Sequence, residues 1–283
     1  MNPALKARAT EMSRLKRLRS ATGVAYPTGY YFFRGAIFWF SKLFISSRIY
    51  RDKNLPQPKG VVYRPPHYKR NGSGPIGTGQ GYIIAANHGK IWDIPFIGIF
   101  RRGLVWVCKP QFCRNKLLAF VNQRMGAVPV FRPSIDGNAN KNTPEKIQYL
   151  KSISYQPSEL TEVAIRALSR GVPVLMFPEG SRVGSSVVEE SKLGAARIAR
   201  ISDCPIVPVA IVGCSKGDPD VRTPILRRKI ILGLVGKPIS PSSYTQLDSD
   251  IEVELAMMED WRLNINELRD YGRTQIIRLG RVS

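Results

Sequence analysis

The sequence predicts an α/β fold: one main domain with a largely parallel central sheet flanked by helices, preceded by an N-terminal membrane-associating helical segment. Three observations carry this. From residue 82 onward, short apolar runs of strand length alternate with longer stretches of helical periodicity. A Pro- and Gly-rich stretch, 55–80, separates that alternation from what precedes it. Residues 1–70 hold fifteen Lys and Arg against two acids, Glu11 and Asp52, which is more than half of the chain's formal excess of +22.

Residues 1–54 form a basic N-terminal segment. Its run Tyr30–Ile45 is dense in aromatic side chains but carries Arg34 and Lys42 inside it. A spanning helix needs roughly 20 predominantly apolar residues, so this run suits an interfacial or re-entrant helix. Phe and Trp rings can enter the acyl boundary while Arg34 and Lys42 snorkel, and the cations of residues 6–19 add attraction to anionic lipid. A helix packed in the protein core is the alternative for a run of this length. A secretory signal is disfavoured, because the run starts about thirty residues in and contains charges.

After the connection 55–80, the domain 81–283 opens with Tyr82–Ala86, an apolar run that suits a buried strand; a helix follows from Asp93, with Pro95 in its first turn. Further strand candidates are Leu104–Cys108, Ala127–Phe131, Val172–Phe177, Ile206–Val212 and Ile230–Val235, and helical spacing marks Leu160–Ser169, Glu189–Ile201 and Asp250–Asp270. Segment 133–157, with Asn138, Asn140 and Asn142, reads as a polar insertion, a loop or partly ordered excursion.

Composition narrows the function classes. In 283 residues, 43% apolar and 23% charged content is that of a folded globular protein, while 43 Lys and Arg against 21 Asp and Glu imply an anionic partner: nucleic acid, an anionic membrane or a phosphorylated substrate. Neither zinc-finger spacing nor an aromatic ribonucleoprotein signature is present, so nucleic acid is not expected. Cys108, Cys113, Cys204 and Cys214 form no C-x-x-C pair and lie in or beside apolar runs, which favours buried free thiols over a metal site or a nucleophile.

The chemistry-bearing residues begin with Asn87-His88-x4-Asp93. Histidine can act as a general base near neutral pH, and a carboxylate on its other ring nitrogen fixes the tautomer and stabilises the imidazolium. Five residues along a straight helix separate two side chains by about 140°, so contact requires His88 to sit in the turn before the helix. Arg132 and Arg182 each follow a predicted strand, where open α/β sheets bind ligands, and a guanidinium suits bidentate recognition of phosphate. Taken singly, an arginine is more often a solvated surface charge than a ligand site. Glu179-Gly180 offers either an acceptor-orienting carboxylate with close backbone approach, or a structural turn.

Four blocks in order, Asn87-His88-x4-Asp93, Gly126-x5-Arg132, Phe177-Pro178-Glu179-Gly180-Ser181-Arg182 followed by Lys192-x-Gly194, and Ile206-Val207-Pro208-Val209-Ala210, resemble the glycerophospholipid acyltransferase family, the group that includes 1-acylglycerol-3-phosphate acyltransferases. The likeness spans 82–213. Ser181 departs from the family's usual Thr and Ala210 from a common second proline; neither change removes a catalytic group.

The resemblance implies that His88 deprotonates an acceptor hydroxyl and Asp93 orients His88, with direct attack on an acyl thioester and no acyl-enzyme. It implies that Arg132, Glu179, Gly180 and Arg182 form the acceptor site, that Pro208 shapes the donor side, and that no cofactor or metal is needed. The implied reaction converts lysophosphatidic acid to phosphatidic acid in phospholipid biosynthesis, with acyl-CoA or acyl-carrier-protein as donor, at the cytoplasmic face of the membrane as a peripheral or monotopic protein. Acylation of another lipid or glycolipid hydroxyl is the alternative within the family. A non-enzymatic basic protein that binds membranes or nucleic acid is the alternative outside it.

Overall fold

The computed structural model describes residues 45–51, 81–90, 93, 97, 105–113, 115, 117–119, 122, 126–136, 143–169, 171–180, 187–215, 217–223 and 228–282. Their centre is a seven-stranded sheet of β1 (Ile45–Arg51), β2 (Ile83–Ala86), β3 (Val105–Cys108), β4 (Ala127–Pro129), β5 (Val174–Met176), β6 (Ile206–Val212) and β7 (Lys229–Val235). The spatial order is β1-β7-β6-β2-β5-β3-β4. Strands β2 to β6 run parallel, β7 runs antiparallel to β6, and β1 runs parallel to β7. The sheet is thus largely parallel, as the alternation of apolar runs predicts.

Side-chain alternation along the strands builds two cores. Ile83, Ala85, Val105, Val174, Ile206 and Ala210 face one side, where they meet α2 (Pro157–Leu168), α3 (Gly194–Ser202) and α4 (Asp250–Val282) through Leu168, Ile198, Trp261 and Ile265. Ile84, Ala86, Trp106, Leu175, Val207 and Ile211 face the other, with Ile97 and Ile231. Burial on both faces is why these strands read as continuous apolar runs rather than alternating ones. The indole of Trp261, fully buried on α4, donates to the carbonyl oxygen of Ala85 at 3.0 Å, tying the long helix to β2 just ahead of His88.

Two regions depart from the sequence reading. Ile45–Arg51, assigned to the N-terminal segment, is a strand of the domain's sheet, paired in parallel along its whole length with β7. Its sequence, Ile-Ser-Ser-Arg-Ile-Tyr-Arg, lacks the continuous apolar run that marks a buried strand, and an edge strand does not require one. The polar segment 133–157 contains a helical turn at Pro133–Asp136 and α1 (Pro144–Ser152) rather than only loop. Thr143 caps α1 by accepting from the amide of Lys146 at 3.4 Å, Pro144 occupies its first turn, and Leu150 is fully buried beneath it. Tyr155 then returns to β4, its amide donating to Pro129 O at 2.8 Å and its carbonyl accepting from the Phe131 amide at 2.9 Å.

The helix predicted over Asp250–Asp270 continues to Val282, with Ile276 buried in its last turns. Among the described residues no helix is long and apolar enough to cross a membrane. The aromatic run up to Phe44, the connection 55–80 and Arg182 lie outside the described residues.

Candidate active site

The carboxyl ends of β2, β3, β4, β5 and β6 lie along one edge of the parallel sheet, and each is followed by a segment that carries a polar or charged group: His88, Lys109, Arg132, Glu179 and the turn 213–218. This is where open α/β sheets place their ligand sites. Asn87 fixes the chain as it leaves β2. Its side-chain nitrogen donates to Ile211 O at 3.0 Å and its oxygen accepts from Ile211 N at 2.7 Å, so the buried amide extends the β2–β6 ladder after the backbone has turned away.

His88 and Asp93 are in contact, in the geometry that the strand-turn-helix reading requires. Asp93 is helical and fully buried; His88 lies in the turn before it. Asp93 Oδ2 stands 2.9 Å from His88 Nδ1 and accepts from the amides of Gly89 at 2.7 Å and Lys90 at 2.8 Å. A carboxylate oxygen taking two amide protons is a strong acceptor, so the third partner, Nδ1, carries hydrogen and Nε2 is left with the lone pair. The ring stacks on Phe177, with centroids 4.2 Å apart and 25° between planes. Gly89 is required by space: a Cβ there would lie 2.3 Å from Ser215 Oγ and 3.0 Å from Ser215 Cα.

Glu179 braces the same turn from β5, its Oε1 accepting from the His88 amide at 2.6 Å. Burial pushes its carboxyl above the ordinary value, opposed by that amide and by the Arg269 guanidinium. Glu179 does not line the cavity beside His88. Its Oε1 holds the backbone of the histidine turn, directly beside the cavity.

That cavity has a volume of about 260 Å³ and is walled mainly by Val107, Phe112, Val130, Leu160, Met176 and Ala195, with His88, Lys109, Arg132, Gly180 and Lys192 as its polar members. Arg132 Nη1 donates to Gly180 O at 3.0 Å, and its Nε lies 3.7 Å from Asp136 Oδ2, which also accepts the Arg132 amide at 2.9 Å. Its Nη2 is buried with no hydrogen-bond partner among the described residues, so the guanidinium is held in place with one donor unsatisfied. Gly180 turns at φ +70°, and a Cβ would lie 2.7 Å from Cε of Lys192, so the lysine stem packs directly over the glycine.

Of the predicted residues, His88, Asp93, Arg132, Glu179 and Gly180 converge here, and Arg182 lies outside the described residues. Pro208 sits within β6, paired with Ala85, rather than in the cavity wall. Lys109 escaped the sequence reading; the available signal was a cation directly after an apolar run, the same signal that flags Arg132. Phe177 escaped it too, because an aromatic at a strand end looks like core. All four cysteines are free and buried. Donation of a hydrogen bond to Cys113, together with burial, pushes the thiol of Cys108, which lines the cavity, well above its ordinary value, so it stays neutral and poorly nucleophilic. Among the described residues no cluster of three metal-ligating side chains occurs.

Comparison with known proteins bears on the family. The family model described as Acyltransferase matches residues 48–212, more than half of the chain. The 1-acyl-sn-glycerol-3-phosphate acyltransferase of Bacillus subtilis (strain 168) is 26% identical over 193 residues, covering 68% of this chain and 82% of that protein. A probable 1-acyl-sn-glycerol-3-phosphate acyltransferase of Mycoplasma pneumoniae is 33% identical over 89 residues, 29% of this chain and 33% of that one. The crystal structure of PlsC, the 1-acyl-sn-glycerophosphate acyltransferase of Thermotoga maritima, aligns with a TM-score of 0.45 at 18% identity, over 84% of this chain and 81% of that chain. With its match to the family model running from β1 to the end of β6, this chain belongs to the acyltransferase family and is an acyltransferase enzyme.

Proposed function

We propose that this enzyme transfers a fatty acyl group from an acyl thioester, acyl-CoA or acyl-carrier-protein, to the free hydroxyl of lysophosphatidic acid, giving phosphatidic acid for phospholipid biosynthesis. The observation that carries the reading is the His88–Asp93 pair, 2.9 Å apart, at a mainly apolar cavity that also presents Arg132. The substrate assignment takes its support from the names of the relatives in Bacillus subtilis and Mycoplasma pneumoniae.

His88 Nε2 takes the proton of the acceptor hydroxyl as its oxygen attacks the thioester carbonyl. The tetrahedral intermediate collapses with cleavage of the carbon–sulfur bond, and the imidazolium returns the proton to the leaving thiolate. Asp93 keeps Nδ1 protonated and stabilises the imidazolium between these steps. Arg132, with Lys109 and Lys192 at the same cavity, binds the acceptor phosphate, and Arg182 adds a second guanidinium. The apolar wall suits hydrocarbon, and the chain requires no cofactor. The basic stretch 1–70 and its aromatic run support a site at the cytoplasmic face of the membrane, where anionic lipid would attract it.

The test is acyl transfer by the full-length protein in vesicles, with labelled acyl-CoA and either lysophosphatidic acid or an uncharged monoacylglycerol. The expected result is labelled phosphatidic acid, with Arg132→Leu raising the KM for lysophosphatidic acid on the order of tenfold or more. Product from the uncharged acceptor at equal efficiency would refute a phosphate site.

A further inference from the structure

Where the β3–β4 ladder ends, side chains take over the joining of the two segments that carry Lys109 and Arg132. The strands pair in parallel from Trp106 and Ala127 to Cys108 and Pro129, and the Val130 amide still donates to Cys108 O at 3.0 Å. Lys109 then heads a short 3-10 turn, Pro110–Cys113, its carbonyl accepting from the Phe112 amide at 3.1 Å. Arg132 heads the helical turn Pro133–Asp136, its carbonyl accepting from the Asp136 amide at 2.8 Å. The side chain of Gln111 crosses between the two turns, its Nε2 donating to Asp136 Oδ1 at 2.9 Å.

Asp136 is fully buried and uses both oxygens. While Oδ1 takes Gln111, Oδ2 accepts the Arg132 amide at 2.9 Å and stands 3.7 Å from Arg132 Nε. At the far end of the same side chain, Nη1 donates to Gly180 O at 3.0 Å. Arg132 is thus held at its backbone, beside Nε and at its tip. A buried carboxylate is costly unless it is paired and hydrogen-bonded, and here the paired cation is one that lines the cavity. Neither Asp136 nor Gln111 lines the cavity, so both act through residues that do.

We propose that Asp136 is a positioning residue for acceptor binding: it sets the guanidinium of Arg132 and, through Gln111, holds the Lys109 turn in register with it. The proposal rests on the reading of Arg132 and Lys109 as phosphate ligands. Adjacent strands lie about 4.8 Å apart, so cations issued from their ends can take two oxygens of one phosphate when both turns keep their places. Donors already in place lose less freedom on binding, so the effect falls on acceptor affinity rather than on proton transfer at His88. The start of the polar segment 133–157 thereby gains a part in substrate binding.

The experiment measures acyl transfer by the full-length protein in vesicles, with lysophosphatidic acid and labelled acyl-CoA varied in turn. Asp136→Asn keeps the size of the side chain and removes the charge beside Arg132 Nε. It can keep the link to Gln111, whose Oε1 has no hydrogen-bond partner among the described residues, because that amide can turn over and accept. The expected effect is a rise in the acceptor KM of about threefold or more, with kcat and the acyl-CoA KM within about twofold. Gln111→Met, which cannot donate to Oδ1, is the second variant and should raise the same KM by about threefold or more; it decides the matter if Asp136→Asn does not fold. In an Arg132→Leu background, Asp136→Asn should change the acceptor KM by less than about twofold, because it acts through the arginine. A smaller rise or a fall in a folded single variant, a matching loss of kcat, or a further rise in the Arg132→Leu background would overturn the proposal. An acceptor KM unmoved by Arg132→Leu itself would remove the phosphate site and this inference with it. A KM moved by Arg132→Leu but not by Asp136→Asn would strike this inference alone.

Discussion

Asp93 reaches His88 with the same oxygen that gathers the backbone of the intervening turn: Oδ2 is 2.9 Å from Nδ1 and accepts the amides of Gly89 and Lys90 at 2.7 and 2.8 Å. The ring's tautomer and the turn's shape therefore depend on one buried atom. Asp93→Asn keeps the shape but offers a neutral carbonyl or an amide donor in its place. We predict a fall in kcat on the order of 10²–10⁴ with folding retained. A kcat within threefold of wild type would remove Asp93 from the mechanism.

Asn87 tests how the histidine turn is anchored. Asn87→Ala strands both the amide and the carbonyl of Ile211 in a buried strand, so it should cost about 1–3 kcal/mol of stability for each group left unpaired. Denaturant unfolding, read as a lower midpoint at an unchanged slope, checks this.

Gly89→Ala should distort the turn because its Cβ meets Ser215 Oγ and Cα. The expected outcome is a large loss of kcat with a smaller loss of stability. Adding Ser215→Gly removes the closest of those atoms and should recover part of the rate. Activity in Gly89→Ala equal to wild type would show that the turn has slack that its packing on Ser215 denies.

Glu179 sets function against stability. Its folded-state carboxyl is raised by burial, so below the ordinary carboxylate range, about pH 4, both folded and unfolded chains hold the proton and the group costs nothing. As pH rises through the raised value the folded protein must bear a desolvated charge, and stability is lost. Glu179→Gln, whose carbonyl can still accept from the His88 amide, should therefore unfold at a higher temperature than wild type at pH 7 and converge with it towards pH 4. Thermal melts across that range give the answer, and a gain that grows on acidification would reverse the assignment.

Much of this was legible in the sequence because parallel strands buried on both faces leave apolar runs, and Ile83–Ala86 and Ile206–Val212 stand out for that reason. The contact of His88 with Asp93 was legible as a requirement, since no straight helix lets the pair meet. Edge strand Ile45–Arg51 was hidden by its serines and arginines, and α1 by the polar face it turns to solvent. The hold of Glu179 on the His88 amide was not legible because a carboxylate aimed at a backbone amide and one aimed at a substrate have the same sequence. Arg269 was illegible for a further reason: its buried partner Asp218 is distant in sequence and meets it only in the fold.

The central claim is that His88 is the base for acyl transfer. Vesicle-bound wild type and His88→Ala, given lysophosphatidic acid and labelled acyl-CoA at pH 7, should differ in phosphatidic acid formation by on the order of a hundredfold or more. Equal rates from the two proteins would contradict the account.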